Sequence, residues 1–420
     1  MEKKRIGGDV SRRSFLKAIG AAGGGFAIHY TTQAAIAQRK PIVVGQCVDF
    51  TGPYGTEAKS QFHSVQLLFS EYKTLAGRPI KHVTRDTMLN PVEAARRAKE
   101  LIEKEGADWL TGGISGPISL AINELAKHYK KIYIAPCQSN EITQAILLGK
   151  EGPFHKYMFH EAITPHMAAQ GVGRWAFRRL GKRVAFLTAD SLWANAIRDS
   201  FGELAEETGI TNLGSIPFPL GTRYYSGYFA KVGALKPDIL VVINFGKDQV
   251  YSTRQFESLG LKRKMKLVIP VTETTIAREA GPKAFHGVYC GSHFYWEQEK
   301  DFASAKKYVR AFTAKYGYPP TGYAAYIYSG NKEVCEAIQR VGKFDPDAIV
   351  SELEGHVYDC NRGPQYWRKC DHQSVQDIYV IRGKDPKKIK NPPWEQFEVV
   401  GRTQGGEKIM RSCARLGHKA

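Results

Sequence analysis

The 420-residue chain lacks the motifs that most often carry chemistry. It has no Walker-type phosphate loop, no Gly-x-Ser-x-Gly turn presenting a serine nucleophile and no metal-binding motif. Its seven cysteines (Cys47, Cys137, Cys290, Cys335, Cys360, Cys370 and Cys413) include no Cys-x-x-Cys pair, which argues against a zinc or dithiol redox site. Cys137 has no histidine placed beside it in sequence to activate it as a nucleophile. Beyond the first forty residues no apolar run is long enough to span a bilayer. The 60 basic against 41 acidic residues give a formal charge of +19. These residues are spread along the chain without an RNP, zinc-finger or basic-zipper pattern, so no nucleic-acid partner is expected. The charge reads as a solvated basic surface.

What is present begins with an address. Ser11-Arg12-Arg13-Ser14-Phe15-Leu16-Lys17 is followed by an apolar, glycine-rich run from Ala18 to Ile28 and by a small-x-small site, Ala35-Ile36-Ala37. A basic region, a short apolar region and a cleavage site in that order predict a signal peptide over residues 1–37. The paired arginines resemble a twin-arginine export signal. The mature protein is expected to begin near Gln38, soluble and periplasmic. In that oxidising compartment Cys360 and Cys370, flanking the turn Asn361-Arg362-Gly363-Pro364, are predicted to form a disulfide.

From Pro41 the chain alternates short β-branched runs with amphipathic segments. Strands are predicted near 41–50, 80–84, 131–135, 183–188, 212–218, 238–244 and 266–271, with helices between most of them. The rhythm predicts an α/β fold with two doubly wound parallel-sheet lobes. Residues 302–316 and 324–341 read as long helices, 353–383 as a hairpin, and the stretch from Lys384 as an irregular tail. Ligands of open parallel sheets bind beyond the carboxyl ends of the strands. That rule selects Asp49-Phe50-Thr51-Gly52, Gly112-Gly113-Ile114-Ser115-Gly116, Pro136-Cys137-Gln138-Ser139-Asn140, Asp190-Ser191-Leu192-Trp193, Phe245-Gly246-Lys247-Asp248 and Thr272-Glu273-Thr274. Their glycines, hydroxyls and amides at helix starts suit a carboxylate or another anion.

Phe50-Thr51-Gly52-Pro53-Tyr54, Ala76-Gly77-Arg78-Pro79-Ile80, Ile134-Ala135-Pro136 with Asn140-Glu141-Ile142-Thr143, Lys236-Pro237-Asp238 and Tyr316-Gly317-Tyr318-Pro319-Pro320 follow one another in a familiar order. Over residues 41–383 the chain resembles the leucine/isoleucine/valine-binding family, the type I periplasmic solute-binding proteins of ABC transporters. The resemblance implies two lobes joined by three crossover segments, here near 159–164, 287–295 and 345–358, that close on a ligand about a hinge. It implies a first lobe from 38–161 and 290–348, a second from 162–289 and 349–395, and a tail from 396–420. It also implies ligand contacts from Ser115, Gln138, Ser139, Phe159, Trp193 and Glu273; the strand-end reading adds Phe245, and Tyr54, as a ring that could line an apolar pocket, and Glu57 are further candidates. The serine pair expected of the first loop is reduced to Ser115 followed by Gly116. An acidic position after the first crossing is replaced by Thr164-Pro165-His166, which counts against an α-amino-acid ligand.

The expected function is capture of a small molecule and its delivery to an ABC permease, by a monomer, with no cofactor and no catalysis. Amino acids, short amides or urea, and small aromatic acids all stay open as ligands. The alternative is a sensor presenting solute to a membrane receptor or kinase.

Overall fold

The computed structural model describes residues 39–419 except Pro392, so the predicted export signal lies outside the described residues. The chain begins with β1 (Ile42–Val48), α1 (Gly55–Ser70), β2 (Ile80–Asp86), α2 (Pro91–Glu103), β3 (Trp109–Gly112), α3 (Gly116–Tyr129) and β4 (Ile132–Ala135). A small hairpin, β5 (Ile146–Leu147) and β6 (Lys150–Glu151), precedes β7 (Met158–His160). These strands, the hairpin apart, form a parallel sheet in the order β2-β1-β3-β4-β7. β1 reads Ile-Val-Val-Gly-Gln-Cys-Val and is buried throughout, as a strand covered on both faces must be.

The second lobe runs through α4 (Pro165–Arg179), β8 (Arg183–Ala189), α5 (Leu192–Thr208), β9 (Thr211–Phe218), α6 (Ser226–Ala234) and β10 (Ile239–Ile243). It continues with α7 (Lys247–Ser258), β11 (Lys266–Ile269), α8 (Thr274–Ala280), α9 (Pro282–Phe285) and β12 (Tyr289–Ser292). The chain then returns through α10 (Ala303–Tyr316), α11 (Gly322–Val341), α12 (Pro346–Leu353), β13 (Tyr366–Trp367) and β14 (Ser374–Val375). It ends in β15 (Ile378–Gly383) and β16 (Phe397–Thr403). The second sheet has the order β16-β15-β12-β11-β10-β8-β9. It is parallel from β9 to β12 and antiparallel at β15 and β16. Two doubly wound α/β lobes, as the strand–helix rhythm predicts, are therefore the architecture.

Several helices start where capping chemistry says they should. The Asn90 side chain accepts from Val92 N and Glu93 N ahead of Pro91, and the Thr164 side chain accepts from Met167 N ahead of Pro165. α4 had no counterpart in the sequence reading. Its buried surface wraps most of the helix, and Gly171 and Gly173 interrupt the apolar stripe where Ile378 and Phe201 press against the backbone.

Three details differ from expectation. The boundary expected at 289/290 falls inside β12. The third crossing lies between Val375 and Ile378, because α12 and the following segment carry Ile349, Leu353, Tyr358 and Trp367 into the core beside Ile42 and Trp109 of the first lobe. The expected tail instead supplies an edge strand, β16, paired with β15. The predicted Cys360–Cys370 disulfide is also corrected. Cys370 pairs with Cys413, with Cα atoms 6.2 Å apart, while Cys360 is a buried free thiol packed among Leu353, Tyr358 and Trp367. The turn between Cys360 and Cys370 places them in different surroundings, and the partner arrives from the C-terminal segment.

Candidate functional site

The carboxyl ends of β1, β3 and β4 in the first lobe face those of β8 and β10 in the second. The loop after β3 is held by Asp49, whose carboxylate accepts from Ile114 N at 2.6 Å. Gly112 permits this path, since its φ is +108° and a Cβ would overlap the Cys47 carbonyl oxygen. The loop ends in Ser115, the N-cap of α3, whose side chain makes no capping bond. The orphan amides of this helix end, with the positive end of its dipole, are left facing the cleft. At the start of α5, by contrast, the Ser191 hydroxyl already accepts from Ala194 N at 3.2 Å.

Between the lobes lies a cavity of about 340 Å³. Tyr54, Ser115 and Gln138 reach it from the first lobe, and Trp193 and Phe245 from the second. Phe245 is central to the rings, with centroids 6.1 Å from Tyr54, 6.3 Å from Trp193 and 6.1 Å from Tyr323. The Trp193 indole N–H donates to Gln138 Oε1 at 3.2 Å across the cleft. An indole nitrogen can only donate, so this bond fixes the orientation of the Gln138 amide. Its Nε2 is then a buried donor without a partner. Among the described residues, none that lines the cavity is charged.

Four predicted contacts are placed elsewhere. Ser139 sits behind Gly116 and accepts from Glu141 N and Ile142 N at 3.1 and 3.3 Å. Phe159 is core, stacked on His372 at 4.2 Å. Glu57 accepts from the Thr275 hydroxyl at 2.6 Å, bridging α1 to α8 across the lobes. Glu273 Oε2 accepts from Gly322 N at 2.9 Å, bridging the second lobe to α11. Burial holds both carboxyls above the usual carboxylate range, Glu273 at about 8. The Glu273 Oε1 atom has no hydrogen-bond partner and lies 3.7 Å from His293 Nε2, whose ring burial keeps neutral. Thr164 caps α4 and the His166 imidazole meets the Ser200 hydroxyl at 3.2 Å, so no acid enters the cavity from that side. Burial pushes the Cys137 thiol up to about 12, far from a thiolate nucleophile.

The lining also includes Leu89, Ile114, Leu220, Asn244 and Tyr323. Asn244 directly precedes Phe245 at the end of β10 and was open to the same strand-end rule. Tyr323 comes from the start of α11, where that rule has no reach.

A family profile described as periplasmic binding protein matches residues 41–388. The curated Leu/Ile/Val-binding protein homolog 6 of Brucella melitensis is 22% identical over 397 residues, covering 89% of this chain and 95% of its own. A solved amino acid ABC transporter substrate-binding protein from Pseudomonas fluorescens Pf-5 superposes with a TM-score of 0.84 at 24% identity, covering 91% of this chain and 100% of that one. A solute binding protein of an ABC transporter from Rhodopseudomonas palustris BisB5, solved with 3,4-dihydroxy benzoic acid, superposes with a TM-score of 0.76 at 23% identity. That match covers 88% of this chain and 98% of the other. At these identities the structural matches establish the fold.

Proposed function

Because the chain belongs to the periplasmic binding protein family, we propose that it captures a small, flat ligand with an accepting or monoanionic end and delivers it to an ABC permease. The observation that carries this reading is the uncharged cavity. The open N-terminus of α3 and the unpartnered Gln138 Nε2 favour a carboxylate or carbonyl at one end. The rings of Tyr54, Trp193, Phe245 and Tyr323 suit an apolar or aromatic body. An α-amino acid would bring an ammonium group into a site without a carboxylate, at the cost of desolvating an unpaired charge. Small aromatic acids therefore fit better than the amino acids named for the Brucella relative. In this reading the protein reaches the periplasm by twin-arginine export.

The test is thermal unfolding of the mature chain with leucine, glutamate, urea, acetamide, benzoate and 3,4-dihydroxybenzoate. A ligand at a hundredfold excess over its Kd adds about 2.7 kcal/mol of stability. The aromatic carboxylates should raise the midpoint and the amino acids should leave it unchanged. The opposite pattern would reject the proposed ligand class.

A further inference from the structure

The C-terminal segment after β16 belongs to neither lobe alone. It lies beyond the residues matched by the family profile. It leaves the second lobe at Thr403, and Gly405 N donates to Asp377 Oδ1 at 2.8 Å. Ile409 and Met410 then bury themselves in a cluster that joins Val48 and Ile114 of the first lobe to Met167 and Ile378 of the second. Arg411 and Arg415 reach Glu203 on α5, in the second lobe, at 3.4 and 2.6 Å. Cys413 is bonded to Cys370, in the turn between β13 and β14 on the first-lobe side of the crossing. The Arg368 guanidinium donates to Arg411 O at 3.0 Å. Beyond the disulfide, Leu416 O accepts from Ala145 N at 2.9 Å and His418 Nε2 meets Thr143 O at 2.7 Å, both in the first lobe.

We propose that residues 404–419 are a fourth connection between the lobes, covalently anchored at both ends, which restrains opening of the cleft. One end is continuous with β16 of the second sheet and the other is fastened by Cys370–Cys413 to the first lobe. The intervening residues are folded, with a short helical turn at Glu407–Ile409 and buried apolar side chains. Opening the lobes must therefore peel Ile409 and Met410 out of their cluster, break the Arg–Glu203 pairs, or both. The three ordinary crossings carry no such cross-link among the described residues.

The experiment compares three forms of the mature, ligand-free protein: wild type, Cys370→Ser/Cys413→Ser and Arg411→Gln/Arg415→Gln. Small-angle scattering reads the separation of the lobes, and amide hydrogen exchange reads local opening. Peptide mapping without reductant comes first, and free thiols at both positions in the wild type would overturn the covalent anchor. Both variants should show a larger radius of gyration. They should also show about tenfold or faster exchange at the crossings 161–164 and 292–294, with the strands of β8 and β10 unchanged. Wild-type scattering and crossing exchange in both variants overturns the proposal. So does acceleration confined to 404–419, which would describe a docked tail that restrains nothing. Should the serine variant fail to fold, the arginine variant decides, since it keeps the disulfide and cuts only the hold on α5.

Discussion

The charge state of Glu273 offers a sharp test of how the lobes meet. The group is buried at the start of α8 against the start of α11, with Glu57 as its acidic neighbour and the neutral His293 ring at 3.7 Å. Among the described residues no cation pairs with it, and burial lifts its pKa from 4.5 to about 8. A carboxyl with a native pKa above its unfolded value contributes fully below the unfolded pKa. That contribution is lost as pH rises through the native pKa. The window here is about pH 4.5 to 8. Within it the native state holds one proton more than the unfolded chain, worth roughly 1.4 kcal/mol per pH unit. Glu273→Gln keeps the shape and removes the titration. Between pH 5.5 and 7.5 the stability of Glu273→Gln relative to wild type should grow by about 1.5–3 kcal/mol. Urea unfolding of both proteins at the two pH values measures this difference, with Glu57 present in each. A difference that stays constant within about 0.5 kcal/mol would mean that Glu273 is ionised in the native protein, and its burial against Gly322 at the start of α11 would be wrong.

Other outcomes follow from the same contacts. Gly322→Ala should destabilise the protein by about 1–3 kcal/mol in chemical unfolding, because the new Cβ would overlap His293 Nε2 and lie 2.7 Å from Glu273 Oε1. Once a ligand is in hand, Trp193→Ala should weaken its binding about ten- to a hundredfold by calorimetry, removing both a ring from the cavity and the bond that orients Gln138. Binding within about twofold of wild type would displace the site from this cleft. Replacing Arg12 and Arg13 together with lysine should leave the precursor in the cytoplasm on cell fractionation, and normal export would reject the twin-arginine reading.

Much of this architecture is legible in the sequence because parallel strands buried on both faces read as nearly continuous apolar runs, as in β1, β8 and β10. The strand-end rule reaches Ser115, Gln138, Trp193 and Phe245 for the same reason: each follows a strand closely. Tyr323 escapes it because α11 enters the cleft from a late segment with no preceding strand of its own sheet. Glu57 and Glu273 mislead because composition cannot distinguish an acid offered to a ligand from one buried in an interlobe contact. The cysteine pairing fails on distance along the chain. A nearby partner was available at Cys360, but its thiol points into the first-lobe core, while Cys413 returns from 43 residues away.

The absence of charge from the cavity lining has a kinetic consequence. Removing the predicted signal peptide, with its six basic and two acidic residues, leaves +15 of the formal +19, so the field still draws anions towards the molecule from a distance, and salt screens that attraction within about a Debye length. In the proposed reading an anionic ligand inside the closed cleft is held by the open end of α3, the Gln138 amide and the surrounding rings, which dissolved ions scarcely reach. On that reading ionic strength governs how often the protein meets its solute and hardly touches how long it keeps it.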